Sequence, residues 1–248
     1  MELPRLYTEF ASYWTLVSDP ADYAVEAVHW RRALRERLGA GRHRILELGV
    51  GGGNNLSHLR EGFDATAADL SPQMIEQARK LNPGVEFHVG DMRTIRLGRK
   101  FKAVIIHDAI SYLATEDDLR ATFATAAAHL EPGGVFITAP DWYRETFHPP
   151  AVGHGTNTDG RVTFTLIQYE HDPDPDDTTM ETLCWYVIEE GGRLHVEQDR
   201  HVLGLFSLDA WLKLMAQSGF ETEKVPYDVH EDHRDAWLLV GALKSRHG

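Results

Sequence analysis

An acidic residue and three glycines recur at alternate positions in the run Glu47-Leu48-Gly49-Val50-Gly51-Gly52-Gly53. The pattern E-x-G-x-G-x-G lets a chain turn sharply and leaves bare backbone for a ligand, with the next helix's N–H groups pointing at it. A phosphate loop of the type GxxxxGK[ST] is excluded, because no Lys follows. The dinucleotide pattern G-x-G-x-x-G/A also fails. Counted from Gly49 its third place is Asn54, and from Gly51 it is Leu56. A tight turn without a ligand is the competing reading, but so dense a glycine run weakens a turn unless something must approach it.

Two further carboxylates follow at regular intervals. Asp69 ends a strand, where it can accept hydrogen bonds from both hydroxyls of a ribose or cap the following helix. Asp91, in Gly90-Asp91-Met92, can accept from an adenine amino group, while Met92 offers a backbone N–H and an apolar contact; alone, Asp91 reads as a loop acid. Together the three groups fall at the carboxyl ends of three adjacent strands, where open α/β sheets place ligands. They point to an adenosine-containing ligand without a pyrophosphate.

The elements that must hold these residues are legible in outline. Residues 22–39 read as an amphipathic helix that Asp22 caps and Gly39 ends, and 5–18 as a shorter one. From 43 a strand–helix alternation begins: strands over 43–49, 65–69, 85–89, 103–107 and 135–139, with helices over 54–60, from Ser71-Pro72 to 81, and from the capping box at Thr115 to 130. Pro132-Gly133-Gly134 is expected as a turn. Such a rhythm implies a mostly parallel, doubly wound sheet. After Pro140 it changes to antiparallel strands over 161–170, 180–188 and 193–203, with Gly191-Gly192 as a hairpin turn and 172–177 as an acidic loop. A helix over 207–218 and strands over 221–225 and 236–244 follow.

Composition narrows the class. The chain has 248 residues, 25 Lys+Arg and 38 Asp+Glu, for a net charge of −13. That balance argues against nucleic acid or an anionic membrane as partner. No apolar run approaches the roughly 20 residues that span a bilayer, and no export signal is expected at the N-terminus. Cys184 is the only cysteine, which excludes an internal disulfide framework. No metal is expected: His230 and His233 have a metal-like spacing but no third ligand, and read as a solvated loop. A cytoplasmic acidic enzyme is the simplest class.

With these motifs the sequence resembles the class I S-adenosylmethionine-dependent methyltransferases. The residues that carry the resemblance are ELGVGGG (47–53), ADLSPQM (68–74), VGDM (89–92) and LEPGGVFIT (130–138). Within the family, GDMRTIRLGRKF (90–101) and RETF (144–147) are similar to small-molecule N-methyltransferases that dimethylate amino groups of antibiotic sugars. The chain departs from them in its 7–23 segment, its acidic 172–177 loop and HDAISY (107–112). The implied fold is α/β: a Rossmann-like, doubly wound, seven-stranded, mostly parallel sheet with an antiparallel β insertion after strand five and an N-terminal helical lid. One domain over 1–248 is expected, divided into a lid (1–40), a cofactor core (41–140), an acceptor-side insertion (141–206) and a return to the sheet (207–248). A homodimer is compatible with this reading.

The resemblance also implies site residues. The cofactor S-adenosyl-L-methionine would touch Glu47, Gly49, Gly51, Asp69, Leu70, Met74, Asp91, Met92 and the backbone near His107. Transfer from a sulfonium to a small-molecule acceptor is an in-line displacement, which chiefly needs alignment. A neutral amine attacks without a strong base, whereas a hydroxyl or ammonium must lose a proton. Nitrogen is favoured over oxygen. Asp108 and His201 are the expected catalytic groups and Tyr7 and Tyr112 the expected substrate contacts, with Asp141 a further candidate. Trp142, Tyr143 and Trp185 either wall the acceptor pocket or fill the core. The rival functions are a non-catalytic S-adenosylmethionine-binding regulator and a nicotinamide-dependent dehydrogenase, the latter disfavoured by the failed glycine spacing.

Overall fold

The computed structural model describes residues 3–227, 229 and 236–244. The chain opens with two 3-10 turns, Arg5–Tyr7 and Ala11–Tyr13, and one turn of helix, α1 (Trp14–Val17). The single helix expected over 5–18 is thus broken into pieces. None has a side-chain cap, and helices this short do not stand alone in water. Leu6, Phe10 and Leu16 instead pack on Phe164, Cys184, Tyr186 and Ile188 of the insertion, so tertiary burial shapes the segment. A further 3-10 turn, Pro20–Tyr23, leads into α2 (Ala24–Leu38). Asp22 does not cap it. Asp19 takes the capping position one turn earlier and accepts from Ala21 N at 2.8 Å. Gly39, at φ 76°, ends α2 as expected.

The core then alternates: β1 (Arg44–Leu48), α3 (Asn54–Leu59), β2 (Asp64–Asp69), α4 (Pro72–Leu81), β3 (Glu86–Val89), β4 (Phe101–Ile106), a 3-10 turn (Asp108–Tyr112), α5 (Glu116–His129) and β5 (Leu130–Thr138). The insertion strands are β6 (Ala151–Thr158), β7 (Val162–His171), β8 (Thr179–Glu190) and β9 (Arg193–Gly204); α6 (Leu208–Gln217), β10 (Phe220–Pro226) and β11 (Trp237–Leu243) complete the chain. The main sheet has seven strands in the order β10-β11-β5-β4-β1-β2-β3. β1 runs parallel to both β2 and β4, and β11 is antiparallel to β5 and β10. Strand order reverses between β1 and β4, which opens a crevice at their carboxyl ends.

Local chemistry explains most boundaries. Ser71, Thr115 and Ser207 each accept from a backbone N–H three residues on, at 3.1–3.2 Å. Two expectations need correction. Pro132-Gly133-Gly134 lies inside β5 rather than before it, where the register against β4 shifts between Phe101 and Ala103; a bulge absorbs the turn-forming residues without ending the strand. β6 was not foreseen. Its sequence AVGHGTNT holds two glycines and few apolar residues, and pairing along the length of β7 makes it a strand.

The insertion forms a four-stranded antiparallel sheet in the order β6-β7-β8-β9. Its last strand docks on the core where Gly204 passes the Leu113 carbonyl, at the end of the 3-10 turn after β4. A Cβ at position 204 would lie 2.2 Å from that oxygen. Gly204→Ala should therefore push the two sheets apart and cost about 1–3 kcal/mol of stability, measured by urea denaturation.

Candidate active site

The crevice begins at the glycine turn. Gly49 has φ 71° and Gly51 φ 53°, a region that side chains with a Cβ resist. Asp69 braces the turn: its Oδ2 accepts from Gly51 N at 2.8 Å and its Oδ1 from Ser71 N at 2.8 Å. Ser71, not Asp69, caps α4 through Met74 N. Burial pushes the Asp69 carboxyl up, against the pull of these donors. A carboxylate has about four lone-pair sites, so Asp69 keeps capacity for ligand hydroxyls.

Several buried polar atoms on this crevice have no protein partner. Glu47 is 2% exposed, and its Oε2 makes no hydrogen bond; neither amide atom of Asn55 nor Trp14 Nε1 makes one either. All three residues line a space of about 970 Å³ that includes its open mouth. Orphaned polar atoms of this kind are costly unless a ligand satisfies them. An amino-acid ammonium and carboxylate joined to an adenosine supply the matching donors and acceptors. Leu70, Met74 and Met92 give the same space its apolar wall. Burial pushes Glu47 up to about 8.

Asp91 lies at the far lip. Both its oxygens accept from Arg93: from the backbone N at 2.8 Å, from Nε at 3.0 and 3.1 Å, and from a terminal guanidinium nitrogen at 2.6 Å. Arg93 also binds Asp118 at 2.7 Å. The ion pair holds the Asp91 carboxyl below its usual range and occupies the oxygens expected to face an adenine amino group. His107 lies at the near end. Its Nε2 is 2.7 Å from Glu26 Oε2 and its Nδ1 3.3 Å from Asp108 Oδ1, so both ring nitrogens are engaged within the protein.

A second cavity of about 1060 Å³ adjoins the first, and Tyr7, Trp14, Tyr23, Asp108 and Tyr112 line both. Here the N-terminal segment, the turn after β4 and the insertion meet. Tyr7 Oη lies 2.7 Å from Tyr112 Oη, and Tyr112 Oη lies 2.8 Å from His201 Nδ1. His201 Nε2 faces Tyr186 Oη at 3.3 Å and Asp199 Oδ2 at 3.4 Å. Tyr186 Oη and Leu6 N both donate to Asp199 Oδ2, at 3.0 and 3.1 Å. Burial raises both Tyr7 and Tyr112 well above the usual phenol range. Asp141 faces open cavity space yet is enclosed by protein; that enclosure, with Asp108 nearby, raises it to about 8.

The structure thus brings Tyr7, Asp108, Tyr112 and His201 to one cavity. Trp142 lines it too, while Tyr143 is in the core and Trp185 is on the opposite face of the insertion sheet from Cys184 and Tyr186. His230 and His233 lie outside the described residues. The sequence reading missed Glu26, Asn55, Arg93, Glu170 and Asp199. Asp199 had a signal, since it is two residues before His201 on a strand and so shares its face.

A doubly wound sheet with a glycine turn, a bracing acid and this crevice at its switch point defines an enzyme class that binds an adenosine-like ligand. The family described as "Methyltransferase domain" matches residues 45–134. The chain is 34% identical over 205 residues to dTDP-3-amino-3,4,6-trideoxy-alpha-D-glucopyranose N,N-dimethyltransferase of Streptomyces venezuelae, covering 82% of this chain and 85% of that one. It is 32% identical over 184 residues to dTDP-3-amino-3,6-dideoxy-alpha-D-glucopyranose N,N-dimethyltransferase of Streptomyces fradiae, covering 73% and 71%. The solved structure of Streptomyces venezuelae DesVI superposes with a TM-score of 0.80 at 27% identity, over 99% of this chain and 100% of that one. An S-adenosylmethionine-bound amino pentose methyltransferase from Micromonospora echinaspora superposes at 0.75 and 26%, over 89% and 91%. The chain belongs to the S-adenosylmethionine-dependent methyltransferases, and S-adenosyl-L-methionine is its cofactor.

Glu47 makes the crevice sensitive to pH. Its folded value of about 8 exceeds the ordinary 4.5. The folded chain therefore holds a proton that the unfolded chain has released. The stability this contributes is whole below the ordinary value and is lost as pH rises through about 8. Glu47→Gln cannot ionise, so thermal unfolding should fall less steeply from pH 5 to 8; Asp141 keeps a residual slope of the same sign. Calorimetry should show the variant binding S-adenosylhomocysteine about tenfold more weakly, through loss of a charge-assisted contact to its ammonium.

Proposed function

We propose that the protein methylates the amino nitrogen of a small, sugar-like acceptor held in the second cavity. The observation that carries this is the hydrogen-bonded chain Tyr7–Tyr112–His201 with Asp199 behind it, opening where the two cavities meet. The names of the relatives support the class of acceptor.

The cofactor, when bound, supplies a methyl group on a sulfonium that leaves as a neutral thioether. The protein must then align an amine with that methyl and see it deprotonated. Asp108, Asp141 and Glu170 line the second cavity and make it a place for a cationic amine. Tyr112 stays a phenol near neutral pH because burial holds its proton on. It can therefore accept a proton at Oη while passing its own to His201 Nδ1, 2.8 Å away. Asp199 faces the other side of the imidazole and stabilises the cation that forms. Glu47, Gly49, Gly51, Asp69, Leu70, Met74 and Met92 hold the cofactor, with Asp91 fixed as a strut by Arg93. Residues 3–17 act as the lid, since Tyr7 and Trp14 wall both cavities. A purely regulatory binder would have no use for a proton path in the chamber beside its ligand.

Two copies pair through the outer face of the insertion sheet, where Leu194 and Val196 on β9 are 67% and 58% exposed, Val196 stands beside Val187 of β8, and Val152 on the opposite edge strand β6 is 66% exposed. We place the enzyme in the cytoplasm. No helix among the described residues is long and apolar enough to cross a membrane. Light scattering should give twice the chain mass for the parent protein and one chain mass for Leu194→Glu.

With an aminosugar acceptor, Tyr112→Phe and His201→Ala should each lower the single-turnover rate by about a hundredfold. S-adenosylhomocysteine affinity should stay within about twofold, because His201 lines only the second cavity and Tyr112 stands at the border of the two with its hydroxyl turned to Tyr7 and His201. Parent rates in both variants would place the acceptor elsewhere. A parent enzyme that turns over no amine would remove the acceptor assignment itself.

A further inference from the structure

We infer that Glu26, on α2, is a positioning residue that acts through His107 to aim the Asp108 carboxylate at the boundary between the two cavities. The inference rests on reading those cavities as cofactor and acceptor chambers.

His107 closes β4 and is 7% exposed. Its two nitrogens face two carboxylates, Glu26 at 2.7 Å and Asp108 at 3.3 Å. A neutral imidazole offers one N–H, whereas an imidazolium offers two, and an ionised carboxylate only accepts. The geometry therefore fits a cation clamped between two anions. Burial opposes that charge, but Asp108 and Glu26 outweigh it and hold the imidazole above its ordinary range.

Glu26 is itself anchored. Tyr227 Oη donates to its Oε2 at 2.9 Å, and Trp30 Nε1 donates to Tyr227 Oη at 3.0 Å. The Trp30 ring packs on His107 with 5.1 Å between centroids. The ionisable groups that face His107 are thus Glu26 from α2, Tyr23 from the turn before it, Tyr227 from the end of β10, Glu47 from β1, and Asp108 and Asp141 on the cavity side. Among the described residues, Glu26 is the carboxylate on Nε2 and Asp108 the one on Nδ1, with Tyr227 Oη a more distant 3.4 Å from Nε2.

The consequence runs through the chain. Asp108 begins the 3-10 turn that ends at Tyr112, and both residues line both cavities. Fixing the His107 ring from behind fixes the start of that turn. It also sets the imidazole 3.3 Å from Asp108 Oδ1, which fixes the direction of that carboxylate on the wall it shares with Asp141. An Asp108 aimed at that boundary can hold an acceptor ammonium beside the cofactor's methyl group, and a rotated one cannot. Glu26 lines neither cavity. It acts by position and charge alone.

The test is Glu26→Gln, which keeps the shape and removes the charge. In the parent protein, nitrogen NMR of the histidine rings should show His107 still doubly protonated well above the pH at which an ordinary imidazole loses its proton. In the variant it should titrate at least about one pH unit lower. With an aminosugar acceptor, kcat should fall about tenfold, while KM and S-adenosylhomocysteine affinity stay within about twofold. Glu26→Asp, which keeps the charge one methylene back, should recover part of both effects, and it serves as the test variant if Glu26→Gln does not fold. A neutral His107 at pH 7 in the parent protein overturns the proposal, as does an unchanged titration in the variant. An unchanged kcat, or cofactor affinity falling in step with kcat, overturns it too. If no amine is turned over by the parent enzyme, the acceptor assignment fails, and the NMR titration still decides whether Glu26 holds the charge on His107.

Discussion

An added Cβ at Gly49 would lie 2.5 Å from the Cβ of Ala109 and 3.0 Å from Met92 Cε. The turn after β1 and the turn after β4 therefore meet at full van der Waals contact, and they can do so only because residue 49 has no side chain. Everything functional hangs on that approach. It sets the depth of the cofactor crevice on one side. It also sets the position of Asp108 and Tyr112, which stand on the β4 turn and face the other side. The bareness of this glycine thus serves the protein's own packing, whereas Gly51, whose nearest contact would be Met74 Cε at 3.9 Å, leaves bare backbone toward the crevice.

Around that contact the electrostatics is one-sided. Glu47 and Asp141 are both raised to about 8, each mainly by burial. Burial of a carboxyl is tolerated where it later meets a positive partner. On the proposed function both chambers meet such partners: a sulfonium with an amino-acid ammonium in the first, and an amine in the second. The chain's net charge of −13 extends the same preference to long range, drawing cations toward the crevice. Excess acid in the composition, which reads at first as an argument against polyanionic partners, becomes a positive statement about the ligands.

What the sequence made legible is what short-range rules control. The Ser71, Thr115 and Ser207 caps, the Gly39 stop, the glycine turn and Asp69 all depend on residues within a few positions, and each is where its spacing puts it. The seven-stranded sheet followed from the alternation of such units. The misses are long-range. β6 exists because β7 pairs with it, and the N-terminal segment takes its broken shape from packing on β7 and β8. Glu26 and Arg93 carry no local motif; one meets His107 across 81 positions, and the other captures Asp91 from two positions away by folding its guanidinium back. Asp91 shows the limit in a single residue. It lines the crevice, yet its oxygens are turned to Arg93, a side-chain direction that no periodicity encodes.

The proton path has a consequence for closure. Tyr7 and Tyr112 are 105 positions apart, and Tyr112 and His201 are 89 apart. The chain of hydroxyls and imidazole therefore exists only when the N-terminal segment, the β4 turn and β9 are docked together. Docking buries Leu6, Phe10 and Leu16 against the insertion sheet, and the same step places Leu6 N on Asp199 Oδ2. Apolar burial of the N-terminal segment and completion of the hydrogen-bonded chain thus share the same contacts. Undocked, the segment would take Tyr7 away from Tyr112, and on the proposed function it would admit water to a chamber where alignment matters. On the proposed function, the contacts that stabilise the segment are the same ones that complete the hydrogen-bonded chain, and the segment needs no helix of its own to make them.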